Sequence, residues 1–281
     1  MRPVRARTAR ILSLISLVVA ALVVPRTAAA QEPVVSVWYR GTPAGTPQQS
    51  ELAAIRALGF QAITWPSAST AGLAELNRLA PIAGIKVLVA DRSATLVDKP
   101  TYRVSERVDI AINRSTSGII APLAWRAVAY GARSIAFDSG SKTGAGLEEK
   151  DGSLKPWARA ALTFARQFSA NSNLVALMQP GPEVRFGRAD PSERPVARDI
   201  VITSDVKLLD AGRVWVIIAT NTLNVRSSLS VYLPKDVPYA LWVSWIGGPP
   251  LAMVSEPTGP RWVLTMPPRT AQVYIIDKKM K

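Results

Sequence analysis

The chain has 281 residues, 34 Lys and Arg against 20 Asp and Glu, a formal net charge of +14, and neither cysteine nor histidine. These two absences exclude disulfides, Ser-His-Asp and Cys-His catalysis, and every histidine-ligated zinc or iron site. Any acid–base chemistry must therefore run on Asp, Glu, Tyr or Lys.

The first 30 residues have the three parts of a secretory signal. Arg2, Arg5, Arg7 and Arg10 form a charged start, 11–24 is an apolar run, and Ala28-Ala29-Ala30 offers a small-residue cleavage site before Gln31. The run is shorter than the roughly twenty residues of a membrane span, and Pro25 and Arg26 break it. An uncleaved anchor is the alternative. Cleavage removes five arginines and no acid, so the charge falls by five, from +14 to +9. No later stretch suits a span, so a soluble periplasmic or secreted protein with no stable membrane anchor is expected. Export argues against nucleic acid as a partner, and the remaining Lys and Arg are scattered rather than clustered.

From residue 34 to about 178, short apolar strands alternate with amphipathic helices. Strands are expected at 34–39, 61–65, 85–90, 108–112 and 134–137, whose starts lie 27, 24, 23 and 26 residues apart. That cadence belongs to repeated βα units. Thr46-Pro47 reads as the cap and first position of a helix carrying Leu52, Ile55 and Leu58, stopped by Gly59. Leu73, Leu76 and Leu79 repeat the stripe, Ser117 reads as the cap of a helix running to Gly131, and Trp157, Ala161, Phe164 and Phe168 form one buried face. The interval 91–107 has little helical periodicity.

Residues 179–199 are rich in Pro, Gly and charge and read as a linker. From 200 to 281 the texture changes to short strands, near 214–219, 228–233, 239–246, 251–255, 262–266 and 271–276, separated by Pro and Gly. This is the pattern of a small antiparallel β-sandwich. The fold class is thus α/β plus all-β, with residues 31–178 as the βα-repeat domain. Five units are too few for a complete (β/α)8 barrel. A shortened barrel is the favoured architecture, against an open five-stranded sheet or a partial barrel completed by another chain.

Residues 125–137 (WRAVAYGARSIAF) resemble the last helix and strand of the barrels of family 42 β-galactosidases and their relatives. Residues 146–157 (GLEEKDGSLKPW) resemble the loop and helix start that close such barrels. Residues 214–222 (VWVIIATNT) and 266–276 (MPPRTAQVYII) resemble the β-sandwich that follows many glycosidase barrels. The resemblance implies an exported glycoside-hydrolase-like protein acting on or binding a glycan or polysaccharide. It also implies a catalytic acid presented as Asn-Glu after the fourth strand and a nucleophilic Glu near the end of the penultimate one. Here no Asn-Glu occurs, and Asn113 and Arg114 stand near the nucleophile position.

Glycoside hydrolysis needs two carboxyl groups flanking one bond, and in parallel α/β folds useful side chains sit at C-terminal strand ends. Asp91 and Asp138 each directly follow an expected strand, and Glu149 lies on the loop beyond Asp138. These are the catalytic candidates; helix capping, or pairing with an arginine such as Arg92, is the alternative role. Trp38, Tyr39, Arg40, Trp65 and Asn113 are the candidate substrate contacts. Strand alternation lets only one of Trp38 and Tyr39 face the interior, and core packing is the competing role for the aromatics. The spacing of glycines at 140–144 fits neither a phosphate loop nor a dinucleotide fold, so neither cofactor nor metal is expected. Two functions follow: a glycosidase with non-standard carboxylates, or a non-catalytic relative that binds glycan or serves as an envelope module.

Overall fold

The computed structural model describes residues 33–41, 45–66, 70–90, 95–97, 107–140, 146–188, 204–235, 237, 243–246, 252–256 and 259–278. The expected signal at 1–30, Asp91, and residues 189–199 of the expected linker lie outside them.

Six parallel strands come first: β1 (Val34–Trp38), β2 (Ala62–Pro66), β3 (Lys86–Ala90), β4 (Thr95–Val97), β5 (Arg107–Ala111) and β6 (Ser134–Asp138). Five match the expected strands to within two residues at either end. The sixth, β4, falls where the sequence lacks helical periodicity. Their order in the sheet is β3-β2-β1-β6-β5-β4, so the first strand pairs with both the second and the last. The Arg107 guanidinium donates to the Val89 carbonyl at 3.2 Å, which brings β5 within one side-chain reach of β3 at the opposite edge of the sheet.

The helices are α1 (Gln49–Leu58), α2 (Thr70–Ile82), α3 (Ile120–Ala129), α4 (Pro156–Ala170) and α5 (Ser172–Leu177). Their apolar stripes meet Val35 and Val37 of β1 and Tyr39 just beyond it, together with Ile63, Trp65, Val108, Ile110, Ile135 and Phe137. Phe164 anchors this layer with edge-on contacts to Trp125 at 5.3 Å and Phe137 at 6.0 Å. On the other face the register aligns Ser36 with Ala62 and Ala136. Ser36, Ala62, Thr64 and Ala136 are completely buried there, and the Ser36 and Thr64 hydroxyls bond at 2.7 Å.

Two expected helix caps are corrected. α1 begins at Gln49 rather than after Thr46, because the Tyr39 hydroxyl accepts the Gln48 N–H at 2.8 Å and donates to Glu51 at 2.7 Å, fixing the entry two residues later. Ser117 caps nothing, because its hydroxyl donates back to the Arg114 carbonyl at 3.1 Å. Gly59 does stop α1, at φ 111, in the left-handed region open to glycine.

The second half forms two antiparallel sheets. β7 (Gln179–Pro180), β9 (Ser204–Ala211), β10 (Val214–Asn221), β12 (Val243–Ile246) and β15 (Thr270–Asp277) make one, in the order β12-β15-β10-β9-β7. β8 (Arg185–Arg188), β11 (Ser227–Tyr232), β13 (Ala252–Glu256) and β14 (Gly259–Met266) make the other, in the order β13-β14-β11-β8. Trp215, Ile217, Leu229, Trp262, Leu264 and Tyr274 fill the space between them. The start of the expected linker is instead part of this structure, since β7 pairs with β9 and β8 with β11.

β10 is buried along its whole length. One of its faces meets the second sheet, and the other, with Val216 and Ile218, joins the core around α3. α3 is therefore covered all round, as its composition requires. It also carries Arg126 into that interface, where Nε lies 3.5 Å from Asp205 on β9. Both side chains are almost fully buried, and removing one partner of such a pair is costly because the other charge stays buried.

Candidate functional site

The C-terminal ends of the parallel strands bring together Trp38, Arg40 and Asp138. Register pairs Val37 with Phe137, so β1 and β6 finish side by side. Arg40 donates two parallel bonds to Asp138, Nη1 to Oδ1 at 2.9 Å and Nη2 to Oδ2 at 2.8 Å. The Gly140 N–H adds a third bond to Oδ1 at 2.8 Å. The Arg40 guanidinium also lies 5.0 Å from the centre of the Trp38 ring, within cation–π range. Burial pushes the Asp138 carboxyl up, but the Arg40 bonds, the Gly140 N–H and the Arg40 charge outweigh it and hold the group below its ordinary value.

A second carboxyl belongs to this site and escapes a search of strand ends: Asp109, inside β5. Register pairs Asp109 with Ala136 and Ala111 with Asp138, so both acids project from the same face, Asp109 two residues deeper. Arg107 Nε stands 3.8 Å from Asp109 Oδ1, while that oxygen and Trp38 Nε1 are buried without a hydrogen-bond partner. Burial pushes the Asp109 carboxyl up; Arg107, the approach of the Trp38 indole and Arg40 only partly counter this, and the Asp138 charge adds to the rise. The signal was an acid in the middle of an otherwise apolar strand, which must face something polar.

The other expected contacts do not join this group. Tyr39 and Trp65 point to the helical side, are completely or almost completely buried, and pack against each other at 5.8 Å. Neither offers a ring face to a solute, which corrects their expected role. The carboxamide oxygen of Asn113 accepts from the N–H and hydroxyl of Ser115 and the N–H of Thr116, closing the turn after β5. Glu149 is exposed on a turn whose backbone bonds Ser153 at 2.7 Å. Asp91 is outside the described residues. Among the described residues, no group of three or more acids is placed to hold a metal ion.

No protein-family model and no curated protein matches the chain. Solved structures with some likeness include a GH30 endoxylanase from Clostridium papyrosolvens, at TM-score 0.37 and 10% identity over 88% of this chain and 97% of that one. A noncanonic maltogenic alpha-amylase from Thermotoga neapolitana gives TM-score 0.45 and 6% identity over 88% and 99%. An alpha-amylase from Geobacillus thermoleovorans gives 0.42 and 9% over 83% and 63%. These neighbours are glycoside hydrolases.

Proposed function

We propose that the protein is an exported, glycoside-hydrolase-like protein that engages a glycan where the parallel strands end, with Asp109 and Asp138 as its working carboxyl pair. The observation that carries this reading is two acids on one face whose ionisation is pushed in opposite directions, Asp109 toward the neutral acid and Asp138 toward the carboxylate. That division separates a proton donor from an ionised partner in sites where two carboxyls share a reaction. Neighbouring strands stand about 4.8 Å apart and two residues advance about 6.6 Å, so their Cα atoms are about 8 Å apart. Glycosidase carboxyl groups stand about 5–5.5 Å apart in retaining enzymes and about 6.5–9.5 Å apart in inverting ones.

A shortened barrel suits the strand order, in which chain neighbours are sheet neighbours except at β3 and β4, and β1 meets β6. The Arg107–Val89 contact spans the remaining seam. Small residues such as Ser36, Ala62 and Ala136 suit the narrow interior of six strands, where eight would admit large branched side chains.

A second reading, recognition without hydrolysis, is favoured by Arg40, which occupies both oxygens of Asp138. Hydrolysis of a panel of aryl glycosides and polysaccharides separates the two. Activity lost in both Asp109→Asn and Asp138→Asn, each still folded, supports the carboxyl pair. Inactivity on every substrate with glycan binding retained refutes hydrolysis and leaves recognition.

A further inference from the structure

We propose that the opposite end of the parallel sheet holds a second, separate site, for a small oxyanion. A cavity of about 290 Å³ opens there, with Val34, Arg56, Gln61, Gly84, Lys86 and Ser169 in its lining. Its walls are the starts of the first three strands and the last turns of α1 and α4. Arg40 and Asp138 lie at the far ends of their strands, so the two sites share no residue.

The chemistry of the lining is one-sided. Arg56 and Lys86 bring two positive charges, and among the described residues no acid lines the cavity. Gln61 and Ser169 add an amide and a hydroxyl that can donate. The backbone groups nearby are committed: the Lys86 N–H to Gln61, the Gly84 N–H to Pro81 and the Val34 N–H to Arg133. The lining side chains supply the further donors. On α4, Arg166 adds to the basic character of this end, lying over Gly59 and bonding the Leu58 carbonyl.

Helix C-termini account for part of this charge, because their carbonyl ends favour cations. They do not account for two cations, an amide and a hydroxyl in the lining of one concavity. Lys86 also belongs to the face of the sheet shared by Ala62 and Ser36, by its pairing with Ala62. The volume is at the small end of the range for small-molecule sites, about 300–1,000 Å³, and suits one phosphate group or one acidic sugar. Carboxylate and phosphate share the feature that matters: oxygens that accept charge-assisted bonds from Arg and Lys.

The test is calorimetric titration of the purified protein at low ionic strength with inorganic phosphate, with glucuronate, and with glucose as the neutral control. At least one anion binds saturably and glucose leaves this site unoccupied. Lys86→Gln and Arg56→Gln each weaken binding about tenfold or more, the loss of one charge-assisted contact, whereas Arg78→Gln, which removes an equal charge elsewhere, does not. Tighter binding of phosphate assigns a phosphate-bearing ligand, and tighter binding of glucuronate an acidic sugar. The proposal is overturned if neither anion binds saturably, or if both pocket variants bind as tightly as the parent. Hydrolysis at the other end plays no part in this readout, so either reading can fail alone.

Discussion

Replacing Arg40 by Gln tests the electrostatics of the strand-end site. Arg40 and Asp138 side chains retain 31% and 19% of their exposure, between the exposed pairs worth about 0–1 kcal/mol and the buried ones whose one-sided loss costs about 3–5 kcal/mol. The two parallel bonds place the cost of Arg40→Gln at about 2 kcal/mol at pH 7. At roughly 2–4 °C per kcal/mol for a chain of this size, Tm falls by about 4–8 °C. Asp138 is held below its ordinary value in the fold. Its ionised form therefore stabilises the protein above the unfolded carboxyl pKa of about 3.9, and that contribution disappears as pH falls through the folded value. Urea unfolding in a pH series running down from pH 7 reads both quantities, and the gap between parent and variant should narrow once pH falls below about 3.9. A cost below about 0.5 kcal/mol at pH 7, or one that persists unchanged in acid, refutes the reasoning.

Asp109→Asn should respond to pH in the opposite sense. Burial raises this carboxyl, so its contribution is fully present below the unfolded pKa of about 3.9 and declines as pH rises through the folded value; the variant gains on the parent as pH rises across that interval in denaturant titrations. Arg126→Met should cost about 3–5 kcal/mol, because it leaves the buried Asp205 charge without its cation, and Arg126→Met with Asp205→Leu should recover most of that loss, as a double-mutant cycle of unfolding free energies will show. Tyr39→Phe removes the hydroxyl that serves both Gln48 and Glu51 and should cost about 1–2 kcal/mol in thermal or urea unfolding.

The parallel strands were legible because each is a short apolar run closed by turn residues, and the helices beside them carry apolar stripes at helical spacing, such as Leu52 with Ile55 and Phe164 with Phe168. β4 was not, since three residues among polar neighbours carry no period. β7 and β8 were hidden by Pro180, Gly181 and Pro182, which read as a connection while the flanking residues complete two sheets. β9 escaped because Asp205 and Lys207 occupy its buried or half-buried positions, answered by Arg126 and by Tyr130, over whose ring Lys207 lies at 4.7 Å. Such partners come from distant sequence, and no local pattern announces them. At the site, alternation correctly separated Trp38 from Tyr39. A rule confined to residues following strands found Asp138 but passed over Asp109, which needed the register of β5 against β6 to be placed beside it.

In the proposed function a saccharide meets the protein at Trp38, Arg40 and Asp138. Its most direct test is equilibrium binding of an oligosaccharide panel to the parent, Trp38→Phe and Arg40→Gln, with Trp65→Phe as the control on the helical side. The account predicts a bound saccharide whose affinity falls about tenfold or more in the first two variants and holds in the control. A panel without any ligand, or a ligand indifferent to Trp38 and Arg40, contradicts it.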